Sequence, residues 1–312
     1  MKHTFDLKKI TKKDIAIAGG KGASLGEMTK SKIPVPLGFV VLANAFDKFL
    51  EETDLGVEID AKLKKINHKD INSVDRASNE IRDLINDVTF PKDIAKEILA
   101  EFNKLETKYV AVRSSATAED SLVASWAGEL ESYLNATKAD LLENVKKCWA
   151  SLFTPRAIFY RYEKKLHKQK VSVAVVIQKM IQSEISGVVF TAHPVTKDKD
   201  QMVIEAGYGL GEAIVGGKIT PDTYVIDKKK KTILDKNISR QKMMIVRNNS
   251  GTKEITVPKS KQNKQKLADK QIIKLAQICE KIEAHYKAPQ DIEWAFEKGK
   301  FYIVQSRSIT TL

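Results

Sequence analysis

The segment at residues 291–307, here called the closing hairpin, constrains the fold most, because apolar and charged residues alternate along it. In its first half Ile292, Trp294 and Phe296 alternate with acidic residues, which is the pattern of a strand with one buried face. The following Lys-Gly-Lys at 298–300 predicts a turn, and a second apolar run follows at once. The sequence therefore predicts a β-hairpin with one apolar and one charged face.

The length of the turn decides which side chains lie opposite one another. A loop of two residues places Glu293 opposite Val304 and scatters the polar residues over both faces. A loop of three places Glu293 opposite Gln305, and Asp291 opposite Arg307. Its apolar face would then hold four residues: Trp294, Phe296, Tyr302 and Val304. We favour this register, because it gathers the carboxylate, amide and guanidinium groups that suit a divalent cation and a polyphosphate.

Length and composition set the outer limits of the fold. A chain of 312 residues is long for one simple core, so we expect a single nucleotide-sized domain in two lobes. No apolar run approaches the roughly 18 residues of a membrane span, and residues 1–14 lack the apolar core of a signal peptide. We expect a cytoplasmic protein, without a membrane partner, in which Cys148 and Cys279 are reduced structural thiols.

The net charge of +13 favours anionic partners. Much of it lies in two lysine-rich segments, 228–231 and 259–270, which contain no aromatic residue. Nucleic-acid surfaces interleave aromatic residues with arginine, so we interpret these segments as solvated turns and linkers. Nucleic-acid binding is therefore not expected.

Strand-like and helical segments alternate along the chain. A glycine-rich turn at 19–22 runs into a helix, residues 33–41 form an extended edge segment, and residues 45–105 are mostly helical. Further short strands are predicted at 109–112, 171–177, 187–191, 202–205 and 224–226. The fold class is thus α/β, of the α+β kind.

Two segments are candidates for binding phosphate. The turn at 19–22, with Lys21 inside it, offers backbone amides and an ammonium group, although it lacks the spacing of a Walker loop and a flexible turn explains it as well. Arg113 follows a strand, and Ser114 and Ser115 add hydroxyl donors. A surface arginine beside a helix cap is the alternative.

Other motifs give no catalytic centre. The glycine-rich stretch at 207–211 follows Glu205, but its spacing is wrong for a dinucleotide fingerprint. His193, beside Pro194, is interpreted as a loop hydrogen-bonder rather than a phosphocarrier. Neither a zinc motif nor a nucleophilic triad is present in the sequence.

Taken together, eight segments resemble a known family. They are GGKGASLGEM, VPLGFVV, AVRSSATAEDS, SWAGELESYLN, VIQKMI, SGVVFTAHPVT, EAGYGLGEAIVGGKITPDTYVID and DIEWAFEKGKFYIVQSR. In this order they resemble the N-terminal ATP-binding domain of phosphoenolpyruvate synthase, which pyruvate phosphate dikinase and the rifampicin phosphotransferases share. The resemblance covers nearly all of residues 1–312. It implies an ATP-grasp fold with ATP between lobe one, 1–180, and lobe two, 181–312.

The resemblance also implies roles for particular residues. Lys21 and Arg113 would hold phosphates, with Gly128 and Ser132 near them. Gln178, Met180 and Ile181 would form the hinge against adenine. Glu293 and Gln305 would hold Mg²⁺, and Arg307 would neutralise the terminal phosphates. Asp291 would support Glu293. Lys21, Arg113 and Arg307 are the expected catalytic residues.

The activity implied is that of a dikinase. ATP would pass a phosphoryl group to a histidine on another domain, which phosphorylates pyruvate, leaving AMP and inorganic phosphate. Neither the histidine domain nor the pyruvate barrel is expected within residues 1–312, so a separate chain would supply them. The alternatives left open are the ATP-binding part of an antibiotic phosphotransferase and a non-catalytic ATP-binding or nucleic-acid-binding module.

Overall fold

The computed structural model describes residues 1–117, 130–165, 172–248 and 251–310. The chain divides into two compact units. The first comprises residues 1–27 and 37–180, and the second comprises residues 28–36 and 181–312. No helix in the described part of the chain has the length and apolar character needed to cross a bilayer.

The first unit is built on a five-stranded antiparallel sheet in the order β1-β2-β5-β3-β4. Its strands are β1 (Thr4–Asp6), β2 (Gly38–Val41), β3 (Val110–Ala116), β4 (Ser132–Ala136) and β5 (Val173–Lys179). β5 lies at the centre, and six of its seven residues are buried. This agrees with its near-continuous apolar sequence.

Among the described residues, seven α-helices belong wholly or mainly to this unit. They are α1 (Ile15–Lys30), α2 (Ala43–Glu52), α3 (Leu55–Lys64), α4 (Ile71–Asp87), α5 (Lys92–Lys104), α6 (Leu141–Ala150) and α7 (Pro155–Glu163). The core beneath them includes an aromatic cluster in which Trp149 contacts Phe46, Phe49 and Phe90, with ring centroids 5.1–5.4 Å apart. Cys148 lies in the same core, where burial raises the pKa of its thiol to about 12. It is therefore an inert packing residue.

The second unit contains a six-stranded antiparallel sheet in the order β13-β12-β6-β7-β8-β9. The strands are β6 (Ile185–Phe190), β7 (Gln201–Tyr208), β8 (Asp222–Asp227), β9 (Thr232–Asn237), β12 (Gln290–Glu297) and β13 (Lys300–Ser308). A separate hairpin consists of β10 (Met243–Asn248) and β11 (Gly251–Thr256). The α-helices described in this unit are the short α8 (Glu212–Val215) and the long α9 (Asp269–Tyr286).

Helix α9 covers one face of the second sheet. It contacts β7, β8, β9 and β12, and five of its apolar residues are buried along one side. The covered face includes Ile204, Tyr224 and Ile292, each completely buried. Close packing at the centre requires glycine at 187, because a Cβ there would lie 1.8 Å from the Glu205 carbonyl oxygen and 2.8 Å from the Trp294 ring.

The structure corrects two expectations about residues 28–41. The predicted edge segment ends in β2, which lies inside its sheet between β1 and β5, because Pro34 and Pro36 precede the strand and leave its amides free to pair. Residues 28–36, placed in lobe one from the sequence, group with the second unit. The Pro34 carbonyl there accepts a hydrogen bond of 2.8 Å from the Ile303 amide.

The closing hairpin combines both registers that the sequence allowed. Glu293 lies opposite Gln305 and Asp291 lies opposite Arg307, as predicted for a three-residue loop. Beyond a β-bulge, however, Trp294 lies opposite Ile303, and the loop has only two residues. These are Lys298 and Gly299, both with positive φ (48° and 78°), which suits a tight hairpin turn.

The bulge also changes the predicted apolar face. Val304 is the extra residue, so side chains before and after it reverse their faces. The residues buried with Trp294 and Phe296 are Phe301 and Ile303. The prediction of Tyr302 and Val304 on that face was wrong, because it assumed regular alternation along the whole strand.

Candidate functional site

The glycine-rich turn is held against the end of β3. Helix α1 is broken at Gly19, whose φ of 70° favours glycine. A Cβ at Gly19 would lie only 2.2 Å from the Ser115 hydroxyl oxygen. That hydroxyl donates to the Ala18 carbonyl (2.9 Å) and accepts from the Gly22 amide (3.1 Å). Lys21 is thereby fixed in the first helical turn after the break.

Arg113 lies on the face of β3 that meets this turn. It precedes Ser115 by two residues, so the two side chains share one face of the sheet. Ser132 lies directly opposite Arg113 on β4, and Gln178 lies opposite Ala111 on β5. The first unit thus aligns a guanidinium, a hydroxyl and an amide on the side where Lys21 begins its helix.

Ser114 points to the other face of the sheet and has a structural role. Its hydroxyl donates to the Glu131 carbonyl (2.8 Å) and lies 3.1 Å from the Ser151 hydroxyl oxygen. With an exposed fraction of 1%, it is part of the packing beside α6. The sequence interpretation of Ser114 as a phosphate donor is therefore replaced by a role in the core.

The remaining predicted residues of this region lie at its boundaries. Gly128 is outside the described residues. The chain leaves β5 at Lys179, and the Met180 amide donates to the Tyr109 carbonyl (3.0 Å). The boundary between the two units falls between Met180 and Ile181.

In the second unit the charged face of the closing hairpin is the face opposite α9. Glu293 and Gln305 are direct cross-strand neighbours and both are half-buried. Directly opposite side chains on one face have Cβ atoms about 5 Å apart, so the carboxylate and amide can reach a common ligand. The bulge beside them is what keeps Gln305 on this face.

Asp291 positions Arg307. Its Oδ2 accepts two hydrogen bonds from the guanidinium, from Nε at 2.9 Å and from a terminal nitrogen at 2.7 Å. The side chain of Asp291 is 14% exposed and that of Arg307 is 40% exposed. A guanidinium held at one edge can present its remaining N–H groups to an anion. The expectation that Asp291 serves Glu293 is thus complemented by a direct contact with Arg307.

Glu205 is a candidate that the sequence did not single out. It lies on β7, two strands from Glu293, and Val188 of β6 lies between them in one row across the sheet. Burial raises the pKa of the Glu205 carboxyl, and the charge of Asp291 raises it further. The signal that could have found it is the β7 pattern, in which one acid interrupts an apolar strand.

The glycine-rich stretch at 207–211 is not a dinucleotide loop. The α8 helix after it has only four residues, too short for a phosphate-binding helix of that type. Gly209, with φ of 90°, instead lies against the backbone of the β10–β11 hairpin, where a Cβ would be 2.5 Å from the Ile245 carbonyl oxygen. This supports the sequence interpretation that rejected the motif.

His193 is a loop residue, as the sequence indicated. Its Nδ1 accepts hydrogen bonds from the amides of Val195 and Thr196, both at 3.2 Å. The ring therefore caps a turn.

The lysines at 228–231 each have an acidic neighbour. Lys228 pairs with Glu283 (2.8 Å), Lys230 lies 3.9 Å from Asp227, and the other two lysines contact Asp200 and Glu280. Paired lysines are poor counterions for a phosphate backbone. The structure therefore favours the interpretation of this segment as a solvated turn.

Among the residues that the structure describes, no three His, Cys, Asp or Glu side chains are close enough to hold a metal ion. Glu293 and Gln305 supply two hard oxygen donors. Mg²⁺ commonly binds through one or two protein carboxylates and completes its shell with phosphate and water oxygens. The donor chemistry of this pair fits such an ion.

Comparison with known proteins identifies similar sequences. The family described as "Pyruvate phosphate dikinase, AMP/ATP-binding domain" matches residues 15–312. A probable phosphoenolpyruvate synthase of Archaeoglobus fulgidus is 49% identical over 98% of the chain, and one of Methanocaldococcus jannaschii is 46% identical over 100%. The rifampicin phosphotransferase of Bacillus subtilis is 40% identical over 98% of the chain.

The match covers only part of each relative. The chain spans 41%, 27% and 36% of these three proteins, in the same order. The chain therefore spans less than half the length of each of these curated relatives.

Proposed function

Because the chain belongs to the AMP/ATP-binding domain family of pyruvate phosphate dikinase, we propose that it binds MgATP and supplies its phosphoryl group to a dikinase reaction. The family establishes an ATP-binding domain of the ATP-grasp type. What we propose beyond the family is that the domain binds Mg²⁺, that particular residues contact the nucleotide, and that the domain takes part in the dikinase reaction. The cytoplasm is the compartment in which we expect it to act.

The observation that carries the proposal is the row formed by Glu293 and Gln305, next to the Asp291–Arg307 pair. One face of one hairpin thus presents two oxygen donors for a cation and one guanidinium for phosphate. In this proposal Glu293 and Gln305 hold Mg²⁺, and Arg307 neutralises the terminal phosphates.

Residues of the first unit have proposed roles of their own. Lys21 and Arg113 would bind phosphate oxygens, with Ser132 as a hydroxyl donor beside Arg113. Gln178, Met180 and Ile181 would contact the adenine. Phosphoryl transfer depends mainly on positioning and charge neutralisation, which fits a site rich in cations.

For the whole reaction we propose a phosphoenolpyruvate synthase, which converts ATP, pyruvate and water to AMP, phosphoenolpyruvate and phosphate. Among relatives that match at least 96% of this chain, six are named "probable phosphoenolpyruvate synthase" and another is named phosphoenolpyruvate synthase. The phosphohistidine and the pyruvate site would lie outside residues 1–312, either in a separate chain or elsewhere in the same protein.

Calorimetry tests the nucleotide site first. We expect saturable ATP binding in the presence of Mg²⁺ and much weaker binding with a chelator. Glu293→Gln should weaken the dependence on metal, whereas Glu184→Gln, which alters an acid beside the hairpin turn, should not. Equal affinity for ATP with and without metal in the unaltered chain would contradict the proposed cation site.

The acceptor requires a second experiment. The chain is mixed with a protein that carries the phosphohistidine and pyruvate domains, together with labelled ATP and pyruvate. AMP and labelled phosphate that appear only with pyruvate support the synthase. The relative from Bacillus subtilis makes rifampicin the second acceptor to test. AMP formation with rifampicin alone would favour the antibiotic phosphotransferase instead.

A further inference from the structure

The first unit contains a groove between helices that the proposed nucleotide site does not use. Its volume is about 1160 Å³, and residues of α2, α3 and α7 line it. We call it the helical groove. Its floor is apolar and includes the buried side chains of Phe46, Ile59, Phe153 and Ile158. Small-molecule pockets have volumes of roughly 300–1,000 Å³, so this groove has room for several side chains of a partner.

The apolar lining extends to the rim of the groove. Val57 lines the groove and is 80% exposed, while Leu50, Leu63 and Ile66 in the same lining are half-buried. Single exposed apolar side chains are ordinary on a protein surface. One that shares a groove with a buried apolar floor is typical of a contact surface.

The charge of the rim is mainly negative. Four acidic residues of the described chain line the groove, whereas the bases in the lining are Lys64 and the largely buried Arg161. The carboxylates of Glu51 and Asp54 are exposed, and within the described residues they form neither a hydrogen bond nor an ion pair. Asp54 directly precedes α3, yet its side chain does not cap the first amides of that helix. These two charges are therefore open to the cations of a partner.

The walls determine which kind of partner fits. Helices satisfy most of their backbone amides and carbonyls internally, so a partner cannot pair with these walls as a strand and must bind through side chains. A helix with an apolar stripe packs well into a groove between helices. The acidic rim repels nucleic acid and anionic membranes, and it attracts lysine and arginine.

We propose that the helical groove docks a basic amphipathic helix of a partner protein. The apolar stripe of that helix would pack on the floor and on Val57, and its cations would meet Glu51 and Asp54. The apolar contact would supply most of the affinity, whereas the charges would set the orientation and speed the association. The interaction does not depend on the proposed nucleotide site.

The probe for this surface is a synthetic peptide of about 16 residues, which forms a helix roughly 24 Å long. It carries leucine at positions i, i+3, i+4 and i+7 of the helix and lysine on both sides of this stripe. A second peptide has the same leucines, with glutamate in place of each lysine. Fluorescence anisotropy of the labelled peptides, titrated with the full chain, measures binding.

We expect saturable binding of the lysine peptide and at least about tenfold weaker binding of the glutamate peptide. The reason is that both peptides offer the same apolar stripe, while only the first complements the acidic rim. Binding of the lysine peptide should weaken as the salt concentration rises, because salt screens exposed charges.

Variants of the chain locate the binding surface. Val57→Lys places a charge on the apolar rim and should weaken binding of the lysine peptide at least about tenfold. Val195→Lys is the matched control, because Val195 is 81% exposed in the second unit, and it should change the affinity by less than about twofold. The double variant Glu51→Gln, Asp54→Asn should weaken binding about three- to tenfold and reduce its dependence on salt. Circular dichroism shows whether the variants are folded.

Three results would overturn the proposal. They are the absence of lysine-peptide binding by the unaltered chain, equal binding of the two peptides, and equal affinities for the lysine peptide in Val57→Lys and Val195→Lys. Sedimentation of the chain tests a second copy as the occupant. A dimer that Val57→Lys converts to a monomer would assign the groove to self-association and would also overturn the proposal.

Discussion

At the scale of single residues, the strongest arrangement is the one in which Asp291 orients Arg307. The carboxylate binds Nε and one terminal nitrogen through a single oxygen, which fixes the plane of the guanidinium. A side chain held in this way loses less conformational entropy when it binds phosphate. Asp291 therefore matters to ligand binding although it need not touch the ligand.

We predict a graded effect of two substitutions on MgATP affinity. Arg307→Ala should lower it about 10- to 100-fold, because it removes charge-assisted hydrogen bonds to phosphate. Asp291→Asn should lower it about threefold, because the guanidinium remains but is less ordered. Calorimetry measures both.

Asp269→Asn is the control for this pair of variants. It weakens an exposed ion pair with Lys236 at the start of α9 and should leave MgATP affinity unchanged. Equal affinities for Arg307→Ala and the unaltered chain would refute the assigned role of Arg307.

Glu205 gives a prediction about pH. Burial and the charge of Asp291 raise the pKa of its carboxyl above the ordinary 4.5, so the folded state holds the proton more tightly than the unfolded state. The stabilisation that comes from proton binding by Glu205 is complete at pH values below the pKa of this carboxyl in the unfolded state. It is lost as the pH rises through the pKa of the carboxyl in the folded state. Glu205→Gln should therefore stabilise the protein at pH 7 and have little effect below pH ~4.

Urea denaturation at the two pH values measures this difference. Because Glu205 is half-exposed, we expect only a modest gain in the free energy of unfolding. A variant that is less stable than the unaltered chain at pH 7 would show that the carboxylate has a favourable partner.

At the scale of elements, the β-bulge in β13 decides which side chains form the polar face. Residues before it follow the register of a two-residue turn, and residues after it follow the shifted register. The single extra residue, Val304, reconciles the two. Without this correction Gln305 and Arg307 would lie on the face that α9 covers.

Deletion of Val304 should be tolerated, because it leaves regular pairing of Glu293 with Gln305 and of Trp294 with Ile303. We expect the free energy of unfolding to fall by no more than about 1 kcal/mol. Deletion of Ser306 is the control. It moves the charged Arg307 to the buried position of Ser306 and should cost at least about 2 kcal/mol. Equal losses in the two variants, measured by urea denaturation, would contradict the assigned bulge.

Gly187 shows a different constraint on the same sheet. Gly187→Ala should destabilise the protein by about 1–3 kcal/mol or more, because the new methyl would overlap the Glu205 carbonyl. Gly56→Ala, on a helix surface with no atom nearby, should instead stabilise it by up to about 1 kcal/mol. Thermal unfolding measures the stability of both variants relative to the unaltered chain. If Gly187→Ala were as stable as the unaltered chain, β6 and β7 would be less closely paired than described.

At the scale of the whole molecule, charge is the property most easily misinterpreted. The net charge of +13 suggests nucleic acid, yet the lysines at 228–231 have acidic neighbours. One further lysine, Lys266, is completely buried and pairs with the buried Asp222 at 2.6 Å. Net charge therefore overstates the positive surface available to a polyanion.

We predict that single-stranded RNA binds only weakly, with a Kd above about 10 µM at ~0.15 M salt. The reason is that paired lysines release few counterions on binding. Fluorescence anisotropy with a labelled oligonucleotide measures the affinity, and MgATP binding by the same sample is the positive control. Submicromolar RNA binding that MgATP does not affect would favour a nucleic-acid-binding module.

The sequence predicted some levels of structure better than others. Strands at β3, β5, β6, β7 and β8 were recognised because short apolar runs bounded by turn residues are typical of buried strands. The position of β2 inside its sheet was missed, because prolines beside a strand indicate an edge only when they fall within it. Glu205 was missed because cross-strand neighbours are remote in sequence.

By itself, the sequence determined the family and the α+β class, because these depend on local periodicity and on motifs of contiguous residues. The pairing of Glu293 with Gln305 was predicted from a loop of three residues, whereas it arises from a loop of two residues and a bulge. Only the tertiary structure decided that Asp291 holds Arg307, that Val304 forms a bulge, and that Ser114 belongs to the core while Ser115 receives the glycine turn. These features depend on which strands become neighbours. That choice is made by the packing of the whole sheet, and no local pattern encodes it.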